Sequence, residues 1–253
     1  MEKLSRVVSF LDKELKIDEF EDSSNNGLQV ECLEQIGKIC LGVDASMEML
    51  EESVQRGADM VVCHHGLSWG DSLKRITGQN YRKVAFLINN GMALYGCHLP
   101  LDAHPKYGNN AVMCKELGLR NLRAFGAYAD RQIGFVGELP KPISYNAFKK
   151  RILRVTGRDG LQSMDFGKQR IRRVAVVSGG AADLVIEAGE KGIDLYISGE
   201  PKLMAYCAAQ EYEINAVFAG HYATEVFGVK ALAALLARRM KVKTEFVDLK
   251  IPY

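Results

Sequence analysis

The sequence predicts an α/β fold (α+β by some schemes) built from two similar units, each a mixed sheet flanked by helices. Three observations carry this. Short apolar runs alternate with helical stretches along most of the 253 residues, and strand–helix–strand alternation implies helices packed on a mainly parallel or mixed sheet. The order of elements in the first half recurs in the second, as duplication of one α/β unit would produce. Finally, imidazoles and carboxylates fall at the carboxyl ends of the strands, where sheets of this kind collect their ligands.

Taken in order, Ile39–Val43 reads as a buried strand and Ser46 to Arg56 as a helix that Gly57 stops. Met60–Cys63 is a second strand, ending at His64-His65-Gly66. A helix over about Tyr81–Asn90, a stop at Gly91 and a strand over Met92–Gly96 then lead to His98. The second half repeats the pattern. Val174–Val177 is a strand, Gly179-Gly180 turns, Ala182 to Lys191 is a helix stopped by Gly192, and Leu195–Ser198 is a strand ending at Gly199-Glu200. A helix over about Leu203–Glu211 and a strand over Ala216–Ala219 lead to His221, which opens a long apolar helix running to Met240. Between these halves, Ile133–Pro140 reads as a strand closed by a turn. Ser144 to Thr156 reads as an amphipathic helix whose basic face (Lys149, Lys150, Arg151, Arg154) is solvated. The units are placed at residues 1–125 and 126–253, the boundary being approximate.

Composition narrows the class. Hydrophobic content of 47% and charged content of 25% are those of a globular protein. No apolar run approaches the ~20 residues that span a bilayer, and Met1 to Arg6 leads into an amphipathic stretch instead of a signal sequence. A cytoplasmic protein without membrane attachment is expected. The six cysteines show no paired CxxC spacing, which excludes a disulfide framework and a thiolate zinc knuckle. The net charge is +2, split as 14 Lys/Arg against 17 Asp/Glu in residues 1–125 and 19 against 14 in residues 126–253. The basic half favours an anionic partner but falls short of a nucleic-acid signature.

Four of the five histidines end apolar runs: His64 and His65, His98 within His98-Leu99-Pro100-Leu101-Asp102, and His221 within His221-Tyr222-Ala223-Thr224-Glu225. Imidazole and carboxylate are the ligands that borderline divalent metals take. His64 and His65 point to opposite faces on a regular strand, but at a strand end the backbone turns and frees both for one site. Asp102 is expected in a loop, because Pro100 and Pro105 bracket it. His221 and Glu225 lie one turn apart on one helix face, at an N-terminus that favours the carboxylate anion and the neutral imidazole. Three histidines and two carboxylates can hold two metals about 3.5–4 Å apart if one carboxylate bridges. With no thiolate, Zn, Mn, Fe and Ni all suit the set. The Ser178-Gly179-Gly180-Ala181 turn reads as plain turn chemistry, since the full phosphate-binding spacing is missing. His104 reads as a loop residue.

These residues also carry a resemblance. Asn25-Asn26-Gly27-Leu28-Gln29-Val30, Gly57-Ala58-Asp59 with His64-His65-Gly66, and the run from His98 to Pro105 are similar to motifs of the NIF-three-like family. So are Gly108-Asn109-Asn110-Ala111, Ser198-Gly199-Glu200 and Gly220 to Glu225. Members are often labelled GTP cyclohydrolase 1 type 2 homologs. The match runs over nearly the whole chain and resembles the short form, without the domain that longer members insert between the halves. The resemblance implies two divalent ions per chain, held by His64, His65, Asp102, His221 and Glu225 with Glu225 bridging, and leaves His98 as a neighbour. It also implies a toroidal homohexamer, a trimer of dimers, with the metal sites facing an internal cavity.

The expected function is metal-dependent hydrolysis, with a metal-bound hydroxide attacking a nucleotide or pterin-like heterocycle. Glu225, His98 and Glu200 are the candidate catalytic residues; Glu200 or His98 would move a proton, and Lys202 and Tyr222 are candidate substrate contacts. The competing expectation is a ring-shaped regulatory or nucleic-acid-binding scaffold in which the metal is structural.

Overall fold

The computed structural model describes all 253 residues, which divide into two compact units: Met1–Leu101 with Val229–Lys250, and Asp102–Gly228 with Ile251–Tyr253. In the first unit, β1 (Glu2–Lys3) runs straight into α1 (Leu4–Leu15). Leu4, Val7, Leu11 and Leu15 recur every three or four residues, so they share one helix face and are buried together. Then follow β2 (Gly27–Val30), β3 (Gln35–Ile36), β4 (Lys38–Asp44), α2 (Met47–Gln55), β5 (Met60–His65), α3 (Gly78–Asn89) and β6 (Ala93–Gly96). Ser46 starts α2 as the serine predicts, its Oγ accepting the Met49 N–H at 3.1 Å. Strands β4, β5 and β6 are parallel neighbours, and β2 lies antiparallel beyond β6.

The second unit takes in α5 (Asn109–Glu116), which follows the one-turn α4 (Leu99–Asp102). Next come β7 (Arg120–Tyr128), β8 (Arg131–Ser144), α6 (Tyr145–Thr156), β9 (Gln162–Asp165) and β10 (Arg170–Val176). After these are α7 (Val185–Glu190), β11 (Leu195–Ser198), α8 (Leu203–Glu211) and β12 (Asn215–Phe218). The sheet order is β7-β8-β10-β11-β12-β9. Here β10, β11 and β12 are parallel and β9 is the antiparallel edge. An antiparallel edge strand followed by three parallel strands is the same series that β2, β4, β5 and β6 form, so the internal repeat is present in the topology. The division then falls within α9 (His221–Arg239), and β13 (Lys243–Phe246) pairs parallel with β4.

Four departures from the sequence reading have physical causes. The units do not part at 125/126: Asp102 groups with the second unit, and β13 returns the chain to the first sheet. Strand β8 continues through Pro140 and Pro142 because its pairing with β10 jumps from Ile143↔Ile171 to Glu138↔Arg173. The prolines thus sit in a bulge, where no ladder donor is needed. The stretch from Ala182 to Lys191 begins as a 3-10 turn over Ala182–Leu184 and becomes α-helical only at Val185. Asp102 is not in a loop but closes α4; Pro100 is tolerated there because the first turn of a helix needs no donor from it.

The parallel strands are covered on both faces, which is why they read as continuous apolar runs instead of alternating ones. In the first unit Cys40, Val61, Cys63 and Leu94 pack with Met49, Leu50 and Leu87. In the second, Val174, Val176, Leu195, Ile197 and Val217 pack with Met113, Leu117, Phe148 and Ile152. Each large apolar side chain so buried contributes about 1.5–3 kcal/mol. Those cores leave the carboxyl ends of the parallel strands as the place where polar side chains emerge. All six cysteines are free thiols, and no helix is long and apolar enough to cross a membrane.

Candidate metal centre

Sheet order decides how the first-unit histidines are held. Because β5 lies between β4 and β6, its last two residues are gripped from opposite sides. His65 pairs with Asp44 at the end of β4, and its Nδ1 lies 2.8 Å from Asp44 Oδ1. His64 turns the other way, with Nδ1 2.9 Å from the carbonyl oxygen of Cys97, just past β6. A carbonyl or carboxylate oxygen can only accept, so each Nδ1 carries a proton, and Nε2 is the ring atom through which each could ligate. His98 follows the same rule, donating from Nδ1 to Asp22 Oδ1 at 2.9 Å, while its backbone N–H donates to Asn26 Oδ1 at 2.7 Å. The ring centroids of His64, His65 and His98 lie 4.7, 5.2 and 5.6 Å apart. The three residues bring one ligand atom each within 4.8 Å of one another.

The motif around Asn25 builds the floor for these rings. Burial pushes the Asp22 carboxyl upward, but the hydrogen bond and charge of His98, with the Asn26 amide and Ser24 N–H, more than offset this and hold it at about 2. Gln29 Oε1 accepts the N–H groups of Leu67 and Ser68 at 2.7 and 3.1 Å. Its amide threads between Gly66 and Gly96, where an added Cβ would stand 2.3 and 2.6 Å from Gln29 atoms. Glycine after the histidine pair is therefore a packing requirement.

In the second unit the same strand ends carry carboxylates. His221 opens α9 two residues beyond Ala219, and its Nδ1 lies 3.0 Å from Oε1 of Glu200, which follows β11. Its Nε2 lies 3.1 Å from Glu225 Oε1, one turn on. Burial works against the imidazolium, but the hydrogen bonds and charges of Glu225 and Glu200 outweigh it and raise His221 to about 9. Thr224 Oγ1 accepts the N–H of Gly179 at 3.1 Å. Gly179 has φ +66°, and a Cβ there would stand 2.3 Å from Glu225 Oε1 and 3.1 Å from His221 Nε2. The glycine turn thus makes the space in which the carboxylate and imidazole meet. Asp102 is held beside the Gly179 turn: its Oδ1 accepts from Ser178 Oγ at 2.9 Å and from Asn109 Nδ2 at 2.8 Å, and the ligand atoms that come within 4.8 Å of one another do not include its own. Asn110 Oδ1 in turn holds the Ser178 N–H at 2.7 Å, which accounts for the paired asparagines of the Gly108–Ala111 motif.

The donor chemistry fits divalent ions. Each of the four imidazoles directs Nδ1 at an oxygen acceptor, the Asp102 carboxylate is buried among neutral donors, and that of Glu225 is buried against His221 and the Gly179 turn. The carboxylate–imidazole pairs are the outer partners that ligating histidines ordinarily have. Burial pushes the Cys63 thiol well above its ordinary range, so it stays protonated and offers no thiolate. Lys202 is exposed and paired with Asp183 at 3.2 Å. Tyr222 is buried, its N–H donating to Tyr253 O at 3.1 Å. Glu200 holds His221 and also accepts the Tyr253 hydroxyl. Sequence reasoning missed Asp22 and Asp44 and read Gly179 as a plain turn residue. Asp44 had a signal, since it ends an apolar strand as His65 does; Asp22 had none.

The chain matches the family Duf34/NIF3 (NGG1p interacting factor 3) over residues 2–252. The Archaeoglobus fulgidus protein named GTP cyclohydrolase 1 type 2 homolog is 39% identical over 246 residues, covering 97% of this chain and 98% of that one. Among solved structures, the protein ybgI, described as of unknown function, superposes with TM-score 0.92 at 33% identity, over 99% of this chain and 100% of that chain. A protein from Thermus thermophilus gives 0.89 at 34% identity, over 97% and 98%. This chain therefore belongs to the Duf34/NIF3 family.

Proposed function

We propose that the chain is a metal-dependent hydrolase acting on a nucleotide or pterin-like heterocycle. In this reading His64, His65, Asp102, His221 and Glu225 would hold two divalent ions (Zn, Mn, Fe or Ni). One observation carries the proposal: His64, His65 and His98 each donate Nδ1–H to an oxygen acceptor and bring one ligand atom each within 4.8 Å of one another, while His221 is set by Glu200 on one ring nitrogen and meets Glu225 through the other. When bound, such ions acidify water and act as Lewis acids near neutral pH.

The residues have separable tasks. Asp44, Glu200 and the Cys97 carbonyl fix the tautomer and orientation of His65, His221 and His64 and raise their basicity. Because Glu200 is engaged as an acceptor by His221 and Tyr253, its task is orientation more than proton movement. His98 is anchored through Nδ1 and through its backbone, so its Nε2 is the group suited to hold or move a proton beside His64 and His65. The name of the relatives supports a purine nucleotide as substrate. For assembly we propose a homohexamer, supported by the apolar side chains Tyr81, Ile88, Leu203, Met204 and Tyr206, which stand exposed on α3 and α8.

The scaffold reading draws less support. Several basic side chains of the second unit are committed to their own chain: Lys149 to Asp165, Arg172 to Glu138, and Arg151 and Arg173 to backbone carbonyls. The test is formate release from GTP by protein loaded in turn with each metal. Turnover that disappears in Glu225→Ala while the fold survives is expected. No turnover of GTP or of a pterin with any metal, or full turnover in that variant, would sink the hydrolase reading.

A further inference from the structure

We propose that Trp69 is the platform on which the planar ring of the substrate stacks. The proposal rests on the heterocycle reading above and adds what that reading lacks, a residue that grips the ring.

Trp69 is the sole tryptophan of the chain and follows His65 by four residues. Its ring lies 5.0 Å from that of His98, edge-on, and 5.8 Å from that of His65. An indole is a large apolar surface that proteins usually commit to a core. Trp69 is instead only half-buried and lies against two imidazoles that end strands.

The loop is built to hold it there. The indole N–H donates to the Gly66 carbonyl at 2.9 Å, and the Trp69 backbone N–H donates to Ser72 Oγ at 2.9 Å. On one side Ser68 Oγ accepts from Asn25 Nδ2 at 2.6 Å. On the other, the Gly70 carbonyl accepts from the same amide at 2.9 Å and Gly70 N–H donates to Ser23 O at 2.8 Å. Clamped from both neighbours, the side chain loses little further freedom when a ligand arrives, and preorganisation of this kind favours binding. With its one polar group already engaged, the indole has only its π face to offer. The ligand that uses such a face is a fused planar heteroaromatic ring, which stacks without needing a specific hydrogen-bond pattern. His65 and His98 then border the ring, so stacking on Trp69 would set the substrate beside the proposed metal ligands.

The test uses metal-loaded full-length protein with three probes: GTP, a pterin, and inorganic triphosphate as the ring-free control. In the wild type, GTP or the pterin should quench Trp69 fluorescence and triphosphate should not. Calorimetry should show Trp69→Leu losing about 10- to 100-fold in affinity for the ring-bearing probe. Trp69→Phe should keep most of that affinity, and triphosphate should bind all three proteins alike. Whichever of GTP and the pterin binds identifies the ring. Undiminished ring binding in Trp69→Leu, no ring binding by the wild type, or loss of metal from Trp69→Leu would overturn the proposal; the last result would make Trp69 a support for the histidines. Ring-dependent binding without turnover would remove the hydrolase reading and leave this one standing.

Discussion

Replacing Asp22 by asparagine removes one charge from a side chain that is 1% exposed and serves four donors. His98 Nδ1, Ser24 N–H, Asn26 Nδ2 and Leu99 N–H all reach its two oxygens, at 2.9 to 3.0 Å. Its folded pKa is about 2 against 3.8 for an ordinary aspartate. Because the folded value is the lower one, the stabilisation is present in full above pH about 4–5 and is lost as pH falls through about 2. A shift of this size contributes about 2 kcal/mol, roughly half of it gone by pH 3. Asparagine also turns an N–H toward one of the four donors, so the cost at pH 5 rises to about 2–4 kcal/mol. Urea unfolding of chelator-treated wild type and Asp22→Asn, followed by circular dichroism at pH 5, 3 and 2, measures the gap. It should narrow steadily as the pH drops. A variant as stable as wild type at pH 5, or a gap that ignores pH, would refute the view that Asp22 is an ionised anchor for His98.

Other expectations follow from the same contacts. In metal-free protein the raised pKa of His221 gives a stabilisation that is complete below about pH 6.5 and lost as pH rises through about 9. Metal uptake at pH 7.5 must therefore displace a proton from His221, and calorimetric heats should vary with buffer ionisation enthalpy; buffer-independent heats would contradict this. Gly179→Ala should destabilise the fold by about 1–3 kcal/mol, through its positive φ and the crowding of Glu225. It should lower metal stoichiometry as well, and a normally loaded variant would show that the glycine cradle is not needed. Asp44→Ala should weaken metal binding by about 10- to 100-fold. Tyr253→Phe, at a residue that is 69% exposed, should shift it far less, both read by competition with a chelating dye.

The sequence carried the repeat and the candidate ligands because both leave local marks. Strand ends announce themselves by the change from apolar residues to His64-His65, His98 and His221, and a helix face fixes the relation of His221 to Glu225. The partners of those histidines leave no such mark. Asp22 reaches His98 across 76 positions of chain, and only the fold brings the two together. Gly179 looked like an ordinary turn glycine because its use depends on where Glu225 lies. The prolines misled twice, at Pro100 and at Pro140-Lys141-Pro142, where a helix's first turn and a strand bulge need no donor. The unit boundary was misplaced because β13 returns to β4, a pairing that periodicity cannot reveal.

The central claim, that this chain holds two divalent ions through its strand-end histidines and carboxylates, is met most directly by metal stoichiometry. Wild type and Glu225→Ala would be stripped, reloaded and weighed by native mass spectrometry alongside elemental analysis. The account predicts about two ions per wild-type chain and fewer in the variant, with both proteins folded. A wild-type chain that takes up none, or a variant that takes up the full wild-type complement, would contradict it.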